Sequence, residues 1–307
     1  MEESSNWKKS AEWKAHSGSI LKVAWAPSEY GSILASCSFD RSVLIFEEED
    51  SAKGKSWMLR ATLVDSPLPV THLQFAPKHL GLKLATSCED GHVRIYEAND
   101  LVNLSMWTLS HDILLNKDGC NCISWNPSPF SPQSIAVATN KPFFEILEFN
   151  ENQKKWQSIP LEDFQKSVEL PPKLAINEIS WAPNLGRSFH LIATACKDKS
   201  VNIWKFSFPD KNSSVQNNNN NNNSTPSTTN NTLNTSAQNN PNQEKKREAL
   251  LEREMRELHD TQVWHVEWNV TGTVLASSGD DGVLLLWSRD FSDNQRKWKC
   301  VSRIRRN

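Results

Sequence analysis

Ile20-Leu21-Lys22-Val23-Ala24-Trp25-Ala26-Pro27 returns as Val70-Thr71-His72-Leu73-Gln74-Phe75-Ala76-Pro77, and this recurrence decides the fold. Further copies run from Cys120 to Trp125, Ile176 to Trp181 and Val263 to Trp268. Each is a short, largely alternating run that ends in an aromatic, the mark of a half-buried strand. In four copies a proline stands two places after the aromatic, at Pro27, Pro77, Pro127 and Pro183. Proline has no N–H to give a ladder, so the strand stops there.

The residues downstream repeat with it. A second strand rich in small side chains reads Ile33-Leu-Ala-Ser-Cys-Ser, Lys83-Leu-Ala-Thr-Ser-Cys, Leu191-Ile-Ala-Thr-Ala-Cys and Val274-Leu-Ala-Ser-Ser-Gly, as crowding near a central channel requires. A turn at Asp40, Asp90, Asp198 or Asp281 leads to a third strand: Val43 to Phe46, Val93 to Tyr96, Val201 to Trp204 and Val283 to Trp287. The third repeat lacks the turn aspartate and has Asn140-Lys141-Pro142 instead. A fourth strand carries Trp57, Trp107, Trp156 or Trp298. Four strands per unit make a propeller blade, and the endings resemble the WD repeat. Trp25, Phe75 and Trp125 fall 50 residues apart, a little more than the usual period of about 40 to 45.

The fold class expected is therefore all-β: a single WD-repeat β-propeller over residues 1–307, with five complete four-stranded blades in an open, incomplete ring. Trp7 to Trp13 reads as the orphan outer strand of a blade whose inner three strands are missing. Residues 207–243, with the run Asn217 to Asn223, have a composition too polar to order itself and read as a disordered loop inside one blade. Glu244 to Asp260, rich in Glu, Arg and Leu, allows a short helix before the fourth strand of that blade.

Lys and Arg total 34 against 36 Asp and Glu, a formal net charge of −2, without the basic stripe of a nucleic-acid binder. No direct nucleic-acid partner is expected. The six cysteines form no C-x-x-C pair and read as reduced core thiols. Met1 to Ser10 lacks an apolar signal core and no run of eighteen apolar residues occurs, so a soluble intracellular chain without a transmembrane segment is expected.

Within WD repeats a His, a Ser or Thr, an Asp and a Trp form a structural tetrad. His259, Ser277, Asp281 and Trp287 supply a full set, and His16, Ser36 and Asp40 supply one that ends in Phe46 without the indole donor. The same residue types also build nucleophilic sites. Their recurrence at equivalent blade positions favours a structural network, and no Gly-x-Ser-x-Gly elbow is present. Cys120, Cys122 and His111 are the only candidate metal cluster, and a tetrahedral zinc site needs a fourth ligand. No catalytic residue, metal or cofactor is expected. Peptide recognition at the channel mouth is the main rival function.

Trp25-Ala-Pro-Ser-Glu-Tyr-Gly-Ser-Ile-Leu-Ala-Ser, Phe75-Ala-Pro-Lys-His-Leu-Gly-Leu-Lys-Leu-Ala, Trp125-Asn-Pro-Ser-Pro-Phe-Ser-Pro, Trp181-Ala-Pro-Asn-Leu-Gly-Arg and the run from Trp268 to Gly282 resemble the Sec-thirteen family of propellers, above all its nucleoporin branch. The vesicle-coat branch, of COPII type, is less similar in the loops between first and second strands. The resemblance implies a six-bladed open propeller completed by a seventh blade from an α-helical scaffold nucleoporin in the Y-shaped complex of the nuclear pore, a pattern from which this sequence departs by lacking the first three strands of the first blade. It also implies sharing with a GATOR-type complex that regulates TORC signalling at a lysosomal or vacuolar membrane. The edge expected to bind the partner comprises Trp7, Trp13, Leu21 and Val23 on one side and Val263, Val266 and Trp268 on the other. An exposed apolar edge of this kind makes the 307-residue chain marginally stable alone and stabilised by its partner.

Overall fold

The computed structural model describes residues 8–51, 54–161, 174–207, 250–290 and 297–305. Twenty strands form five antiparallel sheets of four. The first blade is β1 (Ile20–Trp25), β2 (Ile33–Ser38), β3 (Val43–Ser51) and β4 (Gly54–Leu63). The second is β5 (Val70–Phe75), β6 (Lys83–Cys88), β7 (His92–Ala98) and β8 (Trp107–Leu114). The third is β9 (Cys120–Trp125), β10 (Ser134–Thr139), β11 (Phe144–Asn150) and β12 (Lys155–Ser158). The fourth is β13 (Ile176–Trp181), β14 (His190–Cys196), β15 (Ser200–Ser207) and β16 (Leu250–Leu258). The fifth is β17 (Val263–Trp268), β18 (Val274–Gly279), β19 (Val283–Arg289) and β20 (Trp298–Arg305). Every sheet runs in chain order, and the quoted repeats are the innermost strands, which pack side by side from β1 through β5, β9 and β13 to β17.

The core lies between blades. Trp181, Phe144, Trp204 and Phe206 fill the space between the third and fourth; Val263, Val266, Trp268 and Trp287 fill that between the fourth and fifth. Small residues in β10 and β14, Ala136, Ala138, Ala193 and Ala195, are wholly buried where the sheets crowd together.

Two expectations meet a different structure, and a third is met as far as the described residues reach. Residues 8 to 19 hold no strand, and Trp7 lies outside the described residues. A strand needs a paired strand beside it, and among the described residues this stretch has none; Trp13 instead stacks on Trp57 at 5.8 Å and meets Phe46 at 5.4 Å, and the Ser17 amide donates to Asp40. Cys120 and Cys122 do not share a face as simple alternation implies. A register shift between them turns Cys120 toward the second-to-third blade core and Cys122 toward the third-to-fourth. His111 packs edge-on against Phe149 and Trp156. Finally, Leu250 to Leu258 is strand throughout; the helix allowed before it, like the Asn-rich loop, lies outside the described residues.

Ser207 pairs directly with Leu250, so both ends of that insertion meet at the tip of one hairpin. Deleting Ser213 to Asn240 removes no described core contact and is expected to leave the melting temperature unchanged. A thermal melt of the deletion variant checks this, and a fall of many degrees would contradict it.

Candidate functional site: the free flanks of the first and last blades

All five inner strands share one side-chain scheme. Positions 1, 4 and 6 face the preceding blade; positions 2 and 5 reach the following one. Thr71 Oγ1 donates to the Cys120 carbonyl at 2.7 Å, Asn121 Nδ2 to that of Ile176 at 3.1 Å, and Asn177 Nδ2 to that of Val263 at 2.7 Å. In return the indole N–H of Trp125 donates to the Gln74 carbonyl and that of Trp268 to the Ser180 carbonyl, each at 3.1 Å. A bulge at position 2, marked by a register shift in all five sheets, frees that side chain for its neighbour.

Among the described residues no blade covers the preceding side of the first blade. Ile20, Val23 and Trp25 are 49%, 47% and 61% exposed, whereas the equivalent Val70, Leu73 and Phe75 are 1%, 0% and 6%. Leu21, expected at the same edge, is exposed too, but it stands at position 2 and so outside the preceding face. The last blade lacks cover on the opposite side among the described residues: Trp264 and Glu267, at positions 2 and 5, are exposed. Trp264 turns its N–H to Asp280 instead.

Val263, Val266 and Trp268, expected to face the gap, are buried against the fourth blade. The reason is the bulge at position 2, which breaks the period of two: in every inner strand the apolar positions 1, 4 and 6 look backward along the ring, so only the first blade can show them to solvent. The fifth blade's free face is the polar one, with Trp264 and Glu267. On the first blade, a cavity of about 250 Å³ lies between Trp13, Ile20, Val23, Leu34 and Phe46, partly roofed by residues 11 to 15.

The tetrad residues meet in the fifth blade. Ser277 Oγ lies 2.8 Å from His259 Nε2 and accepts the Trp287 indole N–H at 2.8 Å. Asp281 is 3.9 Å from His259 Nδ1, and its carboxylate also accepts from the Val283 amide at 3.0 Å. In the first blade His16 Nε2 sits 2.8 Å from Ser36 Oγ and Nδ1 3.1 Å from Asp40, and Phe46, which has no indole donor, meets Trp13 at 5.4 Å. Burial alone would raise the Asp40 carboxyl; the Ser42 hydroxyl and amide, the Ser17 amide and His16 outweigh it and hold the group well below the carboxylate range.

Ser277 is 1% exposed, so its hydroxyl cannot meet a substrate. Two arginines escaped the sequence reading. Arg94 donates to Asp90 at 2.7 Å and to Ser66 at 3.2 Å, and Arg256 approaches Asp198 at 3.7 Å, each standing beside the turn aspartate where other blades use histidine. The signal for the first was Ser66, at the place where a histidine precedes the inner strand elsewhere. Among the described residues no group of three His, Cys, Asp or Glu is arranged to hold a metal, and no helix is long and apolar enough to cross a membrane.

Asp281→Ala is expected to destabilise the chain by about 1 to 3 kcal/mol, because buried His259 loses its acidic neighbour and the turn loses a bond. Chemical denaturation measures it. A change near zero would show that the Ser277 bonds alone hold the blade.

The profile of the WD domain, G-beta repeat, matches residues 7–47 and 253–288. Nucleoporin SEH1-B of Xenopus laevis is 42% identical over 97% of this chain and 76% of its own length, and nucleoporin SEH1 of Homo sapiens is 41% identical over 99% of the chain and 78% of its own. The chain belongs to the nucleoporin SEH1 family. Nucleoporin SEH1 of Danio rerio agrees, at 42% over 97% of the chain.

Proposed function

We propose that this chain is a non-enzymatic scaffold propeller of the nuclear pore's Y-shaped complex, where an α-helical scaffold nucleoporin lends a β-blade that covers its free flanks. The observation that carries the reading is the paired exposure: backward-facing positions in β1 and forward-facing positions in β17, two halves of an interface that the same molecule completes four times over. A blade seated there would find the Ile20 carbonyl and the Trp25 indole N–H on one side, and Trp264 with the Glu267 carbonyl on the other. These are the groups that the interior blades use on each other. Strand addition to an open sheet assembly is a recurring mode of recognition, and the relatives named as nucleoporins supply the setting.

Such a protein works at the nuclear envelope, together with other Y-complex subunits. The GATOR-type complex at a lysosomal or vacuolar surface, implied by the resemblance, would use the same flanks. Affinity capture of the tagged chain from nuclear extract tests the proposal: a helical nucleoporin should be recovered in stoichiometric amount. Recovery of vesicle-coat subunits in its place would favour the COPII reading, and recovery of the chain alone would count against both.

A further inference from the structure

The third residue of each inner strand follows the bulge: Lys22, His72, Cys122, Glu178 and His265. Three of the other four close on one carboxylate. Glu178 is met by Lys22 Nζ at 2.7 Å, His72 Nε2 at 3.2 Å and His265 Nδ1 at 3.6 Å. Its side chain is 13% exposed and that of Lys22 24%. The remaining groups facing this cluster are the buried Cys122 thiol on β9 and Glu267 on β17, which lies 3.4 Å from His265 Nε2. Burial works against the charge on Glu178, yet His72, His265 and Lys22 together hold its carboxyl well below the ordinary range. The charge is therefore kept, and Lys22 Nζ, at 2.7 Å, is its nearest cationic partner.

Lys22 belongs to the first blade and Glu178 to the fourth, which are not neighbours in the ring. This bond crosses the channel. The first blade otherwise leans on the second, and the fifth on the fourth, so the five sheets form an arc whose free ends are not packed together. A bond from the first blade to the far side of that arc resists its opening.

We propose that Glu178 is the catch of a cross-channel latch that sets the width of the ring, holding Lys22 so that the free flanks stay close, and releasing it when they part. Seating any additional blade between the fifth and the first moves the inner strands outward from the axis, and the bond across the channel is the contact that must lengthen. The inference stands on the bare chain and does not depend on which partner fills the flanks.

Spin labels at Cys300 on β20 and at Leu59→Cys on β4, both exposed, report the distance between the last and first blades in the full chain; the other five cysteines are buried and stay unlabelled. Pulsed dipolar spectroscopy should give a narrow distribution for the unaltered cluster. Glu178→Gln and Lys22→Met should each shift it outward by roughly half to one strand spacing, ~2 to 5 Å, and broaden it. Circular dichroism establishes that each variant is folded. Should Glu178→Gln fail to fold, Lys22→Met decides, since it removes only the cation from a partly exposed side chain. An unchanged distribution in a folded Lys22→Met variant overturns the proposal.

Discussion

Replacing Val23 and Trp25 together by aspartate is expected to weaken capture of the helical scaffold nucleoporin by at least ~100-fold, while shifting the stability of the isolated chain by no more than ~1 kcal/mol. Both side chains are about half exposed on the preceding face of β1, so the free protein loses only the contact of Trp25 with Trp57 at 5.5 Å and the place of Val23 in the wall of the cavity beside Trp13. In a complex they would form the centre of an apolar interface, where anchoring aromatics carry 2 kcal/mol or more each. The molecule contains its own control. Leu73 and Phe75 are the same positions one blade on, and both are buried, so aspartate there should unfold the chain. Titration of wild-type and doubly substituted chain against the captured nucleoporin, with melts of each, measures both halves. Equal affinities would remove the first blade's flank from the interface.

Trp204→Ala is expected to cost about 3 to 5 kcal/mol, out of a typical total of about 5 to 15. Trp204 is among the largest fully buried side chains, packed with Phe144 at 6.1 Å between the third and fourth blades. Its indole also donates to Thr194 Oγ1 at 3.0 Å, so truncation leaves both a cavity and a buried hydroxyl short of a partner. Urea denaturation gives the number. A loss below 1 kcal/mol would mean that the two blades can close over the vacated space, and that their packing is far softer than a propeller core requires.

The repeat was legible because its signals are local: alternation, an aromatic, and a proline that ends the strand. The tetrad was legible for a related reason, since His259, Ser277, Asp281 and Trp287 recur as residue types at blade-equivalent places. What escaped depends on the ring. Val263, Val266 and Trp268 read as apolar and therefore as gap-facing, but which neighbour an apolar face meets is set by its direction around the ring, and that direction covers them with the fourth blade. Trp7 to Trp13 looks like a strand in its spacing of aromatics, yet strand is a property of paired backbone, and residues 8 to 13 have no pair. Arg94 in the third strand of its blade and Arg256 in the fourth strand of its own read as outward charges until the turn aspartates are placed beside them. The cluster on Glu178 was invisible for the strongest reason: its members are drawn from four blades, and only ring closure brings Lys22 within 2.7 Å of a residue 156 positions away.

Hydrogen exchange on the chain, alone and bound to the helical scaffold nucleoporin it captures, tests the central claim most directly. New protection should concentrate in β1 and β17, with the segment from Lys14 to Ser19 beside them. Protection confined to the turns at Asp40, Asp90, Asp198 and Asp281, with β1 and β17 exchanging as in the free chain, would contradict it.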